Sequence, residues 1–582
     1  MSEIGMFTLN ALKKLSRQQA LIQVLLIILY SLFGRRYHGI KFVENYIKCI
    51  VIPYHKVTEL AITVNAICTP NMQEVVSPHP TLTMKQNSDK TKTVGKFIRD
   101  ESVTSCKRAS SKKLPHLRKP AMIGGEVGHW TAVASSSLLL DFKQFPVENM
   151  PSSKTRIAII GGGVAGLVVA RHTAAKLDSY SLTLFEQTDQ VGGTWIYTDE
   201  TDIDKHGLPI HSSMYKNLRT NIPREVMQIP DFPMKHNEGP SFVHHSVIRE
   251  YLWDYAKHFN LYPHIKLNTV VKHVEPDTLP NGQTIWMITY EDLESKIETT
   301  KTFDAVVVCN GHYTVGHVPH IPGIESFSGG TIHSHQYRIP EVYARKKVCI
   351  LGASWSGMDI AIEVSQYAEK VYLSHNLPES VDLKMLENVE QRPGIQSIQG
   401  NIFIFRDGST AEVDNFIYCT GYKFTYPFMS TKVEMRTDDN HVEPTYKHLI
   451  HMDYQNLFIM GLPTIVIPFP LFHLQAQYIL SILEGQIKLP STEQMREEYE
   501  MEKKALLELG IPLRHIAKLK ERQWAYYDEI AAAANIPSFP PVIRKIYDHV
   551  DQMRELDLTT YKNYQYRIID DENFALCYCK PC

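Results

Sequence analysis

The chain has 582 residues, enough for two or three domains, with 43% apolar and 21% charged residues, the ordinary balance of a globular enzyme. A formal net charge of −2 leaves no overall basic field for nucleic acid or an anionic membrane surface. The nine cysteines are scattered and odd in number, and Cys309, Cys349 and Cys419 sit in apolar, strand-like runs. They argue against a disulfide framework and read as buried thiols of a reducing compartment.

The first 153 residues differ from the rest. Residues 20–33 form an apolar run behind Lys13, Lys14 and Arg17. The run is shorter than the ~20 residues a bilayer span needs. It resembles a signal-peptide core, yet Gly34 leads into Arg35 and Arg36 with no small-residue cleavage site. From about Ser77 to Pro120 the chain is rich in Ser, Thr and Lys and cannot bury much apolar surface. Residues 1–153 therefore read as a poorly ordered or anchor-like extension outside the chemistry. A cytoplasmic or endoplasmic-reticulum-associated protein is expected, with membrane association open but unsupported.

Regular structure becomes legible at Lys154. The β-type run 156–160 leads into Gly161, Gly162, Gly163, Val164, Ala165 and Gly166, and a helix is expected over 167–177. Strand, glycine loop and helix in that order cradle a pyrophosphate: glycine permits the tight turn, and the helix start supplies free N–H groups. The next strand, 181–185, ends at Glu186, where a carboxylate binds ribose hydroxyls and repels a 2′-phosphate. The first site thus takes FAD or NAD rather than NADP. Gly192 and Gly193 then allow the backbone to approach the cofactor beside Thr194 and Trp195, although Trp195 reads equally as core.

A second strand, 348–351, opens into Gly352, Ala353, Ser354, Trp355, Ser356 and Gly357, with Met358 and Asp359 continuing the helix. Gly352, Ser354, Ser356, Gly357, Met358 and Asp359 are the candidates for the second pyrophosphate. The following strand, 370–375, ends without a carboxylate; Ser374 and His375 can donate to a 2′-phosphate, favouring NADPH over NADH. Two dinucleotide sites in one chain imply electron transfer between flavin and nicotinamide. A disulfide reductase of similar build would need a redox cysteine pair, and none occurs between Gly166 and Asn217. Beyond Pro490, residues 493–509 and 518–534 have helical composition, read as a cap without chemistry of its own. Cys577, Cys579 and Cys582 have metal-ligand spacing but no second ligand group nearby, so they read as a frayed tail, and no metal is expected.

Between the loops lies Phe327-x-Gly329-x-x-x-His333-x-x-x-Tyr337. Around it, in order, stand Asn217-Leu218-Arg219-Thr220-Asn221 with Pro223-Arg224-Glu225, then 309–313, 418–422 and 469–477. With these motifs the chain resembles the flavin-containing monooxygenase family over roughly 154–575, its insect-type N-oxygenating members most. The related Baeyer–Villiger enzymes carry tryptophan where this chain has Tyr337. The resemblance implies an α/β fold of two nested Rossmann-like domains with a helical cap. FAD would bind 154–313 and 425–582, and NADPH the inserted domain 314–424. It implies oxygenation of a small-molecule nucleophile, a tertiary amine nitrogen or thioether sulfur, by O₂ through a C4a-hydroperoxyflavin, as in N-oxide formation and xenobiotic metabolism. It assigns cofactor contact to Thr220 and the catalytic position to Asn221, whose amide donates and accepts without titrating. Gln475 matches a residue near the flavin ring but reads equally as a buried structural glutamine. His333 reads as a proton carrier or as a hydrogen-bonded linker.

Overall fold

The computed structural model describes residues 154–235, 239–378 and 385–579. The apolar run at 20–33 and the lysine-rich stretch at 77–120 lie outside the described residues. Among the described residues no helix is long and apolar enough to cross a membrane.

Two mainly parallel sheets organise the fold. The β-branched segment β1 (Thr155–Ile160) pairs in parallel with β2 (Tyr180–Phe185) on one side and β3 (Ala305–Val308) on the other. Between β1 and β2 runs α1 (Val164–Ala174), starting three residues earlier than the expected helix and ending three earlier. The shift follows from Gly163, which supplies the extended N-cap conformation (φ −73°, ψ −174°) directly behind the loop. The short pair Ile265–Lys266 extends one edge of this seven-stranded sheet, and Leu457–Ile459 with two antiparallel pairs extends the other.

The second sheet has five strands, all parallel. It comprises β4 (Gly330–His333), β5 (Lys347–Leu351), β6 (Lys370–His375), Val389–Pro393 and β7 (Asn415–Tyr418), and α2 (Trp355–Ser365) joins β5 to β6. Its residues lie in sequence between β3 and Leu457–Ile459 of the first sheet. The two connections, Val315–Gly316 and Tyr422–Lys423, pair antiparallel with each other.

The sheets repeat one plan. Each has a strand, glycine loop and helix, a parallel neighbour, a three-stranded antiparallel layer, and a return strand beside the first. The antiparallel layers are 269–303 and 395–412. One face of each sheet buries its helix; the other buries the antiparallel layer, with Trp286 and Phe303 in the first and Phe403 and Phe405 in the second. Apolar burial on both faces explains the continuous Val/Ile/Leu strands.

The C-terminal part is helical, through α3 (Pro468–Leu483), α4 (Thr492–Glu508), α5 (Arg522–Ala533) and α6 (Pro541–Leu556). It then forms a hairpin, β8 (Tyr564–Ile568) with β9 (Phe574–Tyr578). The expected frayed tail is thus corrected as far as Tyr578. Tyr566 and Phe574 pack on α6, and that burial holds the strand pair in place.

Candidate active site

The two glycine loops match in detail. Gly161 (φ +107°) and Gly352 (φ +111°) adopt backbone that side chains rarely tolerate, and a Cβ on either would stand 2.4 Å from the carbonyl oxygen of Cys309 or Cys419. Gly166 and Gly357 let each helix settle on its loop, since a Cβ there would meet the Gly161 or Gly352 oxygen at 1.9 and 1.7 Å. Neither α1 nor α2 has a side-chain cap or an acidic residue in its first turn, even though Ser354 stands at the α2 N-cap. Both helix starts therefore keep donors free for an anion.

The strand ends distinguish the two loops. Gly161 N–H bonds the Phe185 carbonyl and Gly352 N–H the Ser374 carbonyl, so Glu186 and His375 are counterparts. Glu186 is buried and its Oε2 accepts the Gly162 N–H at 2.6 Å. Gly162 has no room for a Cβ, which would lie 2.9 Å from that carboxylate oxygen; the second loop carries Ala353 there, facing no carboxylate. His375 bonds Gln391 (3.1 Å) and brings no negative charge. Ser374 is corrected: it is fully buried, and its hydroxyl donates to the Pro393 carbonyl at 2.8 Å.

The segment leaving the first loop reaches the second helix. Gly193 lies against Gly163, where a Cβ would come within 2.8 Å of its Cα. The Thr194 hydroxyl is buried without a hydrogen-bond partner, an orphaned polar atom beside the loop that fits a bound cofactor. Trp195 packs edge-on against Phe469 of α3. Further along, Tyr215 donates to Asp359 (3.0 Å) and Asn217 to Glu363 (2.6 Å), carboxylates one turn apart on α2. Thr220 is buried, and its hydroxyl accepts the Val243 N–H at 3.1 Å. Asn221 Oδ1 accepts from Lys562 Nζ at 2.8 Å.

Three further candidate residues are engaged by neighbouring side chains. Asp359 is ion-paired with Lys562 at 2.6 Å and accepts from the Tyr215 hydroxyl. Met358 is buried beside Val226, Phe242 and the C-terminal hairpin. Gln475 is fully buried and donates to the Tyr526 hydroxyl of α5 at 2.9 Å, while its Oε1 has no hydrogen-bond partner, so both of its readings stand.

The Phe327–Tyr337 motif is a connector. Phe327 packs on Phe403, and Gly329 lies so close to the Asp414 carbonyl that a Cβ would stand 2.2 Å away. His333 Nδ1 accepts the His335 N–H, so Nε2 carries the proton and donates to the Gly421 carbonyl (3.0 Å). Burial pushes His333 down to about 4, so it is a neutral linker at physiological pH. Tyr337 donates to Glu363 at 2.7 Å. Beside it, buried Arg338 donates to the carbonyls of Thr198, Glu200, Ser212, His335 and Tyr337, a clamp that no local pattern announces. Cys309, Cys349 and Cys419 are free and buried, as expected; burial raises all three thiols, Cys419 up to about 12.

His172, Asp231 and His473 are close enough to share a cation. Arg171 Nε already stands 3.2 Å from Asp231 Oδ2, so the cation beside that carboxylate is a guanidinium.

Two nucleotide cradles facing one bridging segment define a dinucleotide-dependent oxidoreductase. The flavin-binding monooxygenase-like family matches residues 154–381 and 375–574, and the chain belongs to it. It is 34% identical over 403 residues to the flavin-containing monooxygenase FMO GS-OX3 of Arabidopsis thaliana, covering 66% of this chain and 86% of that protein. Its fold is similar to the S-allyl-L-cysteine S-oxygenase of Allium sativum (TM-score 0.66, 33% identity, 70% of this chain and 95% of that one). It is also similar to Tmm of Pelagibacter sp. strain HTCC7211 (TM-score 0.64, 26% identity, 71% and 93%). The protein is thus a flavin-dependent monooxygenase, an oxidoreductase with FAD and NADPH as its cofactors.

Proposed function

We propose that this chain uses NADPH and O₂ to oxygenate soft nucleophiles, a tertiary amine nitrogen or a thioether sulfur. NADPH gives a hydride and solvent a proton; one oxygen atom of O₂ joins the nucleophile and the other leaves as water. The observation that carries the reading is the unlike pair of strand ends. Glu186 presents a carboxylate to a ribose at the first cradle, whereas His375 leaves the second compatible with a 2′-phosphate. Similarity to an S-oxygenase supports sulfur as one acceptor.

FAD, when bound, supplies electron storage and O₂ activation. The chain's part is to orient and to shield. Gly161–Gly166, Glu186 and Thr194 would hold the first dinucleotide. Gly352, Ser354, Ser356 and His375 would hold the second. Asn221 stands half-buried on the bridging segment, with an amide that can donate and accept hydrogen bonds without exchanging a proton.

The test is a balance in the full chain: NADPH consumed, hydrogen peroxide released, and sulfoxide formed from a simple thioether. Sulfoxide matching NADPH supports the reading; peroxide alone makes the protein an NADPH oxidase and sinks it. Asn221→Ala is expected to retain FAD and NADPH oxidation while diverting most equivalents to peroxide. Undiminished sulfoxide yield in that variant removes Asn221 from the active site.

A further inference from the structure

We infer that Lys562, from the turn before the C-terminal hairpin, is the positioning residue that fixes which end of the Asn221 amide is offered to a bound cofactor. The inference rests on Asn221 being the active-site asparagine. An ammonium has three N–H donors and no acceptor. Lys562 Nζ has three acceptors around it, Asp359 Oδ2 (2.6 Å), Asn221 Oδ1 (2.8 Å) and the Arg219 carbonyl (3.3 Å). Each N–H is used once. Because the ammonium can only donate, the Asn221 carbonyl must turn to it, which leaves the amide NH₂ free for a bound ligand. The reversed amide would set N–H against N–H.

The surroundings make this arrangement rigid. The Lys562 side chain is only 14% exposed and Asp359 13%. Arg219 returns the contact: its guanidinium donates to the Lys562 carbonyl, to Asn563 Oδ1 (3.2 Å) and to the Phe242 carbonyl (3.0 Å). Asp359 is also held by Tyr215, and Glu363, one turn further along α2, by Asn217 and Tyr337. Two polar groups therefore sit one turn apart on α2: Glu363 with Asn217 and Tyr337, and Asp359 with Tyr215 and Lys562, which in turn holds Asn221. The helical region read as chemically silent carries, at its end, a residue that touches the site.

Titration offers a signature that packing alone does not. Burial pushes Lys562 below the ordinary lysine range, against the pull of Asp359. The groups facing it are Arg219 on the bridging segment, Asp359 and Glu363 on α2, and Tyr561 beside it, with Tyr215 bonded to Asp359. The neutral amine has two N–H groups for three acceptors, so one contact is lost as pH rises.

The experiment is a double-mutant cycle on NADP⁺ affinity in the full, FAD-loaded chain with Lys562→Met, Asn221→Ala and both. We expect each single change to weaken NADP⁺ binding about tenfold and the double change to weaken it no further. Independent, multiplying losses overturn the inference, as does Lys562→Met binding like the parent. Lys562→Met/Asp359→Asn leaves no buried carboxylate without its cation; it replaces Lys562→Met in the cycle, with the same expected outcome, should the single variant fold poorly. The second readout is the share of NADPH equivalents lost as peroxide from neutral to alkaline pH. It should climb with pH in the parent and be high and level in Lys562→Met; a parent profile unchanged by the variant overturns the inference. If the parent forms no sulfoxide the proposed function fails, while the affinity cycle still decides the role of Lys562. If Asn221→Ala alone leaves NADP⁺ affinity untouched, the assignment of Asn221 has failed, and the inference falls with it.

Discussion

Coenzyme choice comes down to single side chains at two equivalent strand ends. Glu186 uses one carboxylate oxygen on the Gly162 N–H and the other on the Thr188 N–H, which fixes the group where a ribose would lie. Glu186→Ala should yield folded chain with little FAD, read as flavin absorbance per chain; full occupancy would refute the ribose role. At the other end, His375→Asp places a negative charge where a 2′-phosphate is expected. The preference for NADPH over NADH, measured as the ratio of kcat/KM values, should fall about tenfold or more. An unchanged ratio would put the 2′-phosphate elsewhere.

At the scale of elements, buried charges join segments that apolar packing alone would leave free to slide. Arg338 ties the connector to carbonyls at 198, 200 and 212. Arg338→Met strands those acceptors and should destabilise the fold by about 3 kcal/mol, lowering the melting temperature by several degrees. Helix α4 is joined to the 436–443 segment through Glu443. Burial alone would raise this carboxyl, but hydrogen bonds from Lys503 and Tyr499 outweigh it and hold it at about 2. A depressed carboxyl stabilises the fold fully above its ordinary value near 4.5 and loses that contribution as pH falls towards 2. Acid unfolding should therefore steepen below pH 4.5 in the parent and less so in Glu443→Gln, followed by circular dichroism.

Across the whole molecule, what could be read from sequence was what is written locally. Gly161 and Gly352 announce themselves because a turn with positive φ under a neighbouring carbonyl admits only glycine. Glu186 is legible because strand and helix lengths fix its distance from the loop. Met358, Asp359 and Ser374 are less legible, because proximity to a phosphate loop in sequence says nothing of which side of the helix or strand they face. Lys562 had no local mark at all, since its partners lie 203 and 341 residues away. That separation has a bearing on synthesis. Both cradles leave the ribosome long before residue 562 does, so a chain halted short of that turn would carry both glycine loops without the clamp on Asn221. Such a product should bind NADP⁺ less tightly and lose more NADPH equivalents as peroxide, the outcome expected of Lys562→Met.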